Sequence, residues 1–250
     1  MKYGGKTDVG LKRNNNQDSY AVFSKDDYFC AIVCDGMGGA KAGNIASSLA
    51  VKTFASVIKK AFSVRSADDY SESAIRILLK NAIDEANTIV YEKSLTSPEY
   101  EGMGTTMVAV LVCLCGTFAI NVGDSRIYRQ TDGSLTQISK DHSFVQYLIE
   151  KGEIKPSEAA NHPNKNIILR ALGVNEYVEG DYYRIDTYDR ILLCSDGLTN
   201  HVSDARIGEI ISGSYLSKKP SYKSRVEKLI EEANAGGGLD NITAILFGGE

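Results

Sequence analysis

Five aspartates in the chain, Asp18, Asp35, Asp124, Asp196 and Asp240, have similar surroundings. Asp18 follows the polar loop Lys12-Arg13-Asn14-Asn15-Asn16-Gln17. Asp35 and Asp196 each close an apolar run and precede a glycine. Asp124 sits between Gly123 and Ser125, and Asp240 comes shortly after Gly236-Gly237-Gly238. A carboxylate at a strand end, beside exposed backbone carbonyls, suits a hard cation. An oxygen-only set without histidine points to Mg²⁺ or Mn²⁺ rather than zinc. Several carboxylates in one cleft repel each other, and a cation offsets that cost. Taken singly, each of these residues is more simply a turn aspartate. Their joint occurrence carries the metal reading, and sequence spacing does not by itself bring them together.

The central stretch is Ala31-Ile-Val-Cys-Asp-Gly-Met-Gly-Gly-Ala40. Phe29 to Cys34 has the length of a core strand, and Asp35 ends it. Gly36, Gly38 and Gly39 allow a sharp turn and close approach to a ligand. Two nucleotide-loop readings fail on spacing. In a Gly-x-Gly-x-x-Gly fingerprint starting at Gly36 the third glycine is replaced by Lys41. In a P-loop starting at Gly38, Gly43 is followed by Asn44 and Ile45, not by Lys and Ser or Thr.

The elements that must position these residues follow from apolar patterning. Tyr3 to Val9 is expected as an edge strand. Tyr20–Phe23 and Phe29–Cys34 form a hairpin around Ser24-Lys25-Asp26-Asp27. Helices are expected over 40–62 and 68–95, with Ile75, Leu79, Ile83 and Val90 on the buried stripe of the second. Strands follow over 106–114, 117–122 and 125–130, with a turn at Thr131-Asp132-Gly133-Ser134. Strands joined this tightly are mostly antiparallel. A helix over 144–152 precedes a weakly periodic region, 153–184, expected to be an irregular insert. A strand over 190–194, helices over 204–212 and 221–235, and a strand over 242–247 complete the chain. Strand groups alternating with helix pairs predict an α+β fold of sheets sandwiched between helix layers.

Bulk properties exclude some functions. The chain has 250 residues, 43% of them hydrophobic, and a net charge of −4. No basic stripe is present, so nucleic acid and anionic membrane are not expected partners. The longest apolar stretch, Met107–Val122, is broken by Gly116-Thr117 and is shorter than the ~20 residues of a spanning helix. Met1–Gln17 lacks the apolar core of a signal peptide. The five cysteines lie in apolar runs without a Cys-x-x-Cys pair and read as reduced residues of a cytoplasmic protein.

The order of motifs closely resembles the metal-dependent Ser/Thr protein phosphatases, the PPM or type 2C family, in their compact bacterial form. The motifs are Arg13-x-x-Asn16-Gln17-Asp18, Asp35-Gly36-Met37-Gly38-Gly39, Gly104-Thr105-Thr106 and Val122-Gly123-Asp124-Ser125-Arg126. Asp141-His142-Ser143, Arg170-Ala171-Leu172-Gly173, Ser195-Asp196-Gly197-Leu198 and Asp240-Asn241-Ile242-Thr243 complete the series. The resemblance implies one catalytic domain over 1–250, with a flap at about 141–184. It also implies a four-layer α-β-β-α sandwich of two antiparallel sheets flanked by antiparallel helix pairs.

The same resemblance implies two Mn²⁺ or Mg²⁺ ions bridged by Asp35, one of them bound also by the carbonyl of Gly36. Asp196 and Asp240 would hold the first ion, and Asp18 would support the second. Asp124, with Asp196, would form a third, weaker site. Arg13 would grip the substrate phosphate through its planar fork. The implied reaction is hydrolysis of phosphoserine and phosphothreonine by a metal-bridged water. The implied partners are phosphorylated proteins, including a Ser/Thr kinase and its targets, met by a monomer.

One position departs from the pattern. Many eukaryotic relatives carry histidine where Met37 stands, and Met37 cannot donate a proton. His142 and His162 are alternatives by type only, and a structural hydrogen bond is the simpler role for each. A catalytically dead relative would lack ligands, yet Arg13, Asp35, Asp196 and Asp240 are all present. A two-metal nuclease is disfavoured by the net charge of −4.

Overall fold

The computed structural model describes residues 1–25, 27–66, 69–159, 161–213 and 220–249. The hairpin position Asp26, the expected helix start Asp68, the flap position Ala160 and the domain end Glu250 lie outside the described residues.

Two antiparallel sheets stack face to face. One contains, in spatial order, β1 (Lys2–Asp8), β11 (Ile242–Gly248), β10 (Arg190–Cys194), β7 (Arg126–Thr131) and β8 (Ser134–Gln137). The other contains β2 (Asp18–Lys25), β3 (Tyr28–Met37), β5 (Met107–Cys113), β6 (Gly116–Val122) and β9 (Asp181–Ile185), with β4 (Gly104–Thr105) on the end of β3. Helices α1 (Gly39–Val64) and α2 (Glu72–Ser94) cover the second sheet. Helices α6 (Asp204–Ser212) and α7 (Tyr222–Ala235) cover the first. The expected α-β-β-α sandwich is the observed fold.

Period-two alternation assigns the two faces of each central strand to two different cores. On β3, Phe29, Ala31 and Val33 pack between the sheets, while Cys30, Ile32 and Cys34 face α1 and α2. On β11, Ile245 and Phe247 pack between the sheets, while Ala244 and Leu246 face α7. Both faces are apolar because both are covered, so these antiparallel strands read as unbroken hydrophobic runs. Each fully buried Ile, Leu or Phe contributes about 1.5–3 kcal/mol. The sandwich is therefore rigid where the strand ends must hold polar groups.

The helices are anchored at their starts. Ser71 caps α2 by accepting from the Ala74 N–H, and Ser203 caps α6 by accepting from Arg206. Helix α1 starts directly from the turn after β3, where Gly38 has φ +112°. There the strand and the helix almost touch. A Cβ on Gly36 would lie 2.1 Å from the Gly43 carbonyl oxygen. Glycine at both positions lets α1 press against the end of β3.

Three elements differ from the sequence expectation. Strand β3 continues through Asp35 to Met37, because Gly36 and Met37 pair with Thr105 and Gly104 of β4. Asp35 thus lies within a strand rather than at its end. The region 153–184 is not wholly irregular. It contains the short helix α4 (Pro156–Ala159) and the start of edge strand β9, which pairs with β6. The sequence of β9, Asp-Tyr-Tyr-Arg-Ile, is only half-buried and carries a weak apolar signal. Finally, Asp196 opens a one-turn helix, α5 (Asp196–Thr199), too short to show periodicity.

The contact between β3 and α1 can be tested. Gly36→Ala puts a methyl group against backbone, so the metal-free protein should lose about 1–3 kcal/mol of stability. Thermal melting should show a fall of about 2–4 °C per kcal/mol lost. An unchanged Tm would show that α1 can withdraw without cost.

Candidate metal centre

The site is built at one end of the sandwich. Asp18 begins β2 and is the direct cross-strand partner of Asp35 on β3. The Asp35 backbone is fixed on its other side. Its N–H donates to Thr106 Oγ1 at 3.0 Å, and its carbonyl accepts from Thr105 Oγ1 at 2.9 Å and the Thr106 N–H at 2.9 Å. Asp196 follows β10, and Asp240 precedes β11. Asp124 lies in the short link between β6 and β7. Asp35, Gly36, Asp124, Asp196 and Asp240 all line one cleft of about 870 Å³. Arg13 and the flap residues Lys165, Asn166 and Ile168 line it too.

Asp18 does not line this cleft; it stands behind it, 7% exposed. Its Oδ2 accepts from Ser195 Oγ at 2.8 Å and from Thr243 Oγ1 at 2.6 Å. The proton directions are set by the backbone. The Thr243 N–H donates to Ser195 Oγ, so the Ser195 proton is directed to Asp18. Asn16 donates to Thr7 Oγ1, which contacts Thr243 Oγ1 at 2.7 Å, so that chain also ends at Asp18. These partners serve the ionised carboxylate.

Burial opposes ionisation across the cluster. It pushes Asp18 up to about 7, against an ordinary 3.8, with the Asp196 and Asp240 charges adding to the rise. The Ser195 and Thr243 hydrogen bonds pull the other way. Burial and then the Asp196 charge push Asp124 up to about 8. Asp35 is held well above the carboxylate range by burial and by the charges of Asp18, Asp196, Asp124 and Asp240. Asp196 is raised by burial and by Asp240.

Three buried carboxylate oxygens, Asp18 Oδ1, Asp124 Oδ1 and Asp196 Oδ1, have no protein hydrogen-bond partner. Among the described residues no three His, Cys, Asp or Glu side chains are drawn into a tight ligand set. The carboxylates share a cleft rather than one coordination sphere. All the donors are oxygens, and the unpartnered ones are buried and acidic. That donor chemistry fits hard divalent cations.

Arg13 is half exposed and makes an ion pair of 2.8 Å with Asp240 Oδ2. The other Asp240 oxygen accepts from the Asn241 N–H at 2.8 Å. Asn241 is a functional position whose role sequence reasoning missed. Its Nδ2 donates to the Val9 and Asn15 carbonyls, and its Oδ1 accepts from the Gln17 N–H. One buried amide thus secures both sides of the loop that carries Arg13. The motif Asp240-Asn241 contains the residue, but its partners lie more than 220 positions away.

His142 and His162 take the structural hydrogen-bonding role expected of them, and the histidine at the cleft is His201. His142 is buried, and its Nδ1 accepts from the Gly123 N–H at 3.1 Å. Nε2 therefore carries the proton, 3.2 Å from Asp181. Burial also lowers its pKa, so the ring is held neutral. His142 secures the turn that presents Asp124 and does not line the cleft. His162 Nδ1 accepts from the Asn164 N–H and is likewise absent from the lining. His201 does line the cleft, accepting from the Leu239 N–H through Nε2.

Comparison with known proteins decides the family. A family model described as protein phosphatase 2C matches residues 12–242. The chain belongs to the protein phosphatase 2C family. It is 40% identical over 244 residues to the serine/threonine phosphatase stp of Listeria monocytogenes, covering 96% of this chain and 93% of that protein. A crystal structure of a serine/threonine phosphatase from Staphylococcus aureus superposes with TM-score 0.88 at 34% identity, covering 100% of this chain and 96% of that one. The catalytic domain of the serine threonine protein phosphatase PstP, in complex with two manganese ions, superposes with TM-score 0.78 at 35% identity. That match covers 98% of this chain and 96% of the other.

The raised carboxylates set a pH dependence for this phosphatase in EDTA. Between 3.8 and about 7 the folded chain holds a proton on Asp18 that the unfolded chain has released. Stability therefore falls as pH rises through that window, and Asp124 adds in the same direction. Tm in EDTA should be higher near about pH 5 than near about pH 8, and Asp18→Asn should flatten part of the slope. A Tm that climbs toward pH 8 would refute the assignment.

Proposed function

We propose that this serine/threonine phosphatase dephosphorylates phosphoserine and phosphothreonine in proteins at the Asp35 cleft. The convergence of Asp35, Gly36, Asp124, Asp196, Asp240 and Arg13 on one cavity carries the reading. The manganese-bound relative supports two manganese or magnesium ions as cofactors. Asp35, Asp196 and Asp240 with the Gly36 carbonyl would hold them, Asp35 serving both. Asp18 would support the second ion from behind, and Asp124 with Asp196 would hold a third, weaker one. When bound, the ions supply Lewis acidity, charge neutralisation and a water of lowered pKa as nucleophile.

The chain's own groups do the rest. Arg13 presents two N–H donors to phosphate oxygens and orients the phosphoryl group. Before substrate enters, Asp240 holds that guanidinium at the cleft rim. Gln17 contributes to the rim through Nε2, which donates to the Gly39 carbonyl at 2.9 Å. Met37 lines the cleft without a proton to give. His201 has its Nε2 occupied by an N–H, which leaves the ring proton on Nδ1. It is the imidazole that lines this cleft among the described residues.

The chain would act as a single catalytic domain over 1–250, with the 141–184 flap shaping substrate choice through Lys165, Asn166 and Ile168. Among the described residues no helix is long and apolar enough to cross a membrane. We place the enzyme in the cytoplasm as a monomer that opposes a Ser/Thr kinase.

Activity on a phosphothreonine peptide should vanish in EDTA and return with Mn²⁺ or Mg²⁺; full turnover in excess EDTA would sink the metal reading. Charge-assisted hydrogen bonds contribute about 1.5–3 kcal/mol, so Arg13→Ala should lower kcat/KM roughly ten- to a few-hundred-fold. Arg13→Lys should restore only part, because lysine lacks the fork. Because Arg13 pairs with Asp240, Arg13→Ala should also tighten Mn²⁺ binding, read by calorimetry. Wild-type kcat/KM in Arg13→Ala would return the residue to the solvated surface.

A further inference from the structure

The apolar runs predict five reduced core cysteines, and three of them sit in the core. Cys30, Cys34 and Cys194 are fully buried. The other two occupy the turn between β5 and β6. Cys113 pairs with Gly116 across the hairpin, so Leu114 and Cys115 form its two-residue turn. The two sulfurs lie 3.2 Å apart. Cys113 is 9% exposed, and Cys115 is partly exposed. The pair sits six residues along β5 from Met107, roughly 20 Å from the metal end of the strand at about 3.3 Å per residue.

We propose that Cys113 and Cys115 are a peroxide-oxidised dithiol that closes to a disulfide within the turn. Three observations support it. The sulfurs need approach by little more than 1 Å to reach a bond of about 2.05 Å. Cys115 is open enough to meet a small oxidant. Leu114 alone separates the two cysteines along the chain, and Gly116, just outside the ring, takes the φ of +142° that closes the turn.

The chemistry balances with hydrogen peroxide as oxidant. The Cys115 sulfur attacks a peroxide oxygen and the O–O bond breaks. Cys115 becomes a sulfenic acid and one water leaves. The Cys113 sulfur then attacks the Cys115 sulfur and the S–O bond breaks. Hydroxide departs and takes the Cys113 proton as a second water. Two thiols lose two electrons in total, and one peroxide becomes two waters. Burial pushes the Cys113 thiol up to about 12, so the first attack falls to the more exposed Cys115.

The test treats the full chain with equimolar hydrogen peroxide and reads intact mass, free thiols and a peptide map. The expected result is a loss of about 2 Da, restored by dithiothreitol, with a Cys113–Cys115 link. Free thiols should fall from five to three. Cys115→Ser, a change at a turn position, should keep all its remaining thiols at the same dose. Addition of about 16 or 32 Da at Cys115 without a link would overturn the proposal. So would a link between two chains, or five intact thiols.

Discussion

Mutual repulsion among carboxylates held in one cleft is the constraint to which the rest of the structure answers. Asp35, Asp124, Asp196 and Asp240 line that cleft from four separate stretches of chain, and Asp18 backs them from behind. Left to themselves such groups move apart or take up protons. Here the first response is resisted, and the second shows as carboxylates whose pKa values are raised across the cluster. The strands that deliver them are apolar on both faces and locked between two further layers. The side chains of Asp18, Asp196 and Asp240 are also held by hydrogen bonds from neighbours. The cluster is therefore a local cost, offset by three cores, and it favours any hard cation that can neutralise it.

Holding the ligands in place takes a second set of residues that never meets the substrate. Ser195 and Thr243 aim their hydroxyl protons at Asp18. Thr105 and Thr106 fix the Asp35 backbone. His142 secures Gly123, and Asn241 secures the Arg13 loop. Each is short, buried and fully hydrogen-bonded, as low-dielectric surroundings demand. Asp141 belongs with them, since its carboxylate binds the Arg126 fork beside the Asp124 turn.

The apolar runs made most of the fold legible. Phe29–Cys34 and the run over 106–114 read as strands by their length and apolar content, and the long helical stripes supplied their covers. Strand β9 was not legible, because an edge strand of Asp-Tyr-Tyr-Arg-Ile has no apolar periodicity to display. In the site, residue type and glycine context marked the carboxylates, and the order of motifs named the family. The Arg13–Asp240 pair, the threefold hold of Asn241 and the Gly123 partner of His142 were hidden for a different reason. Each depends on a contact across the fold, and sequence spacing carries no record of distance in space. The Cys113–Cys115 contact was hidden by habit, because a single intervening residue is not a familiar thiol spacing.

The pairing of β1 with β11 has a consequence for the order in which the protein can be assembled. Lys2 lies opposite Gly248, and Asp8 opposite Ile242. Strand β1, made before every other strand of its sheet, therefore waits, edge exposed, for β11. Asn241, which secures the loop bearing Arg13, is made equally late. A nascent chain can build the β2–β3–β5–β6 sheet with α1 and α2 early, from neighbours close in sequence. It cannot complete the catalytic cleft until Asp240 and β11 have emerged. The topology thus withholds the complete cleft until β11 has emerged, and leaves one strand edge in need of protection meanwhile.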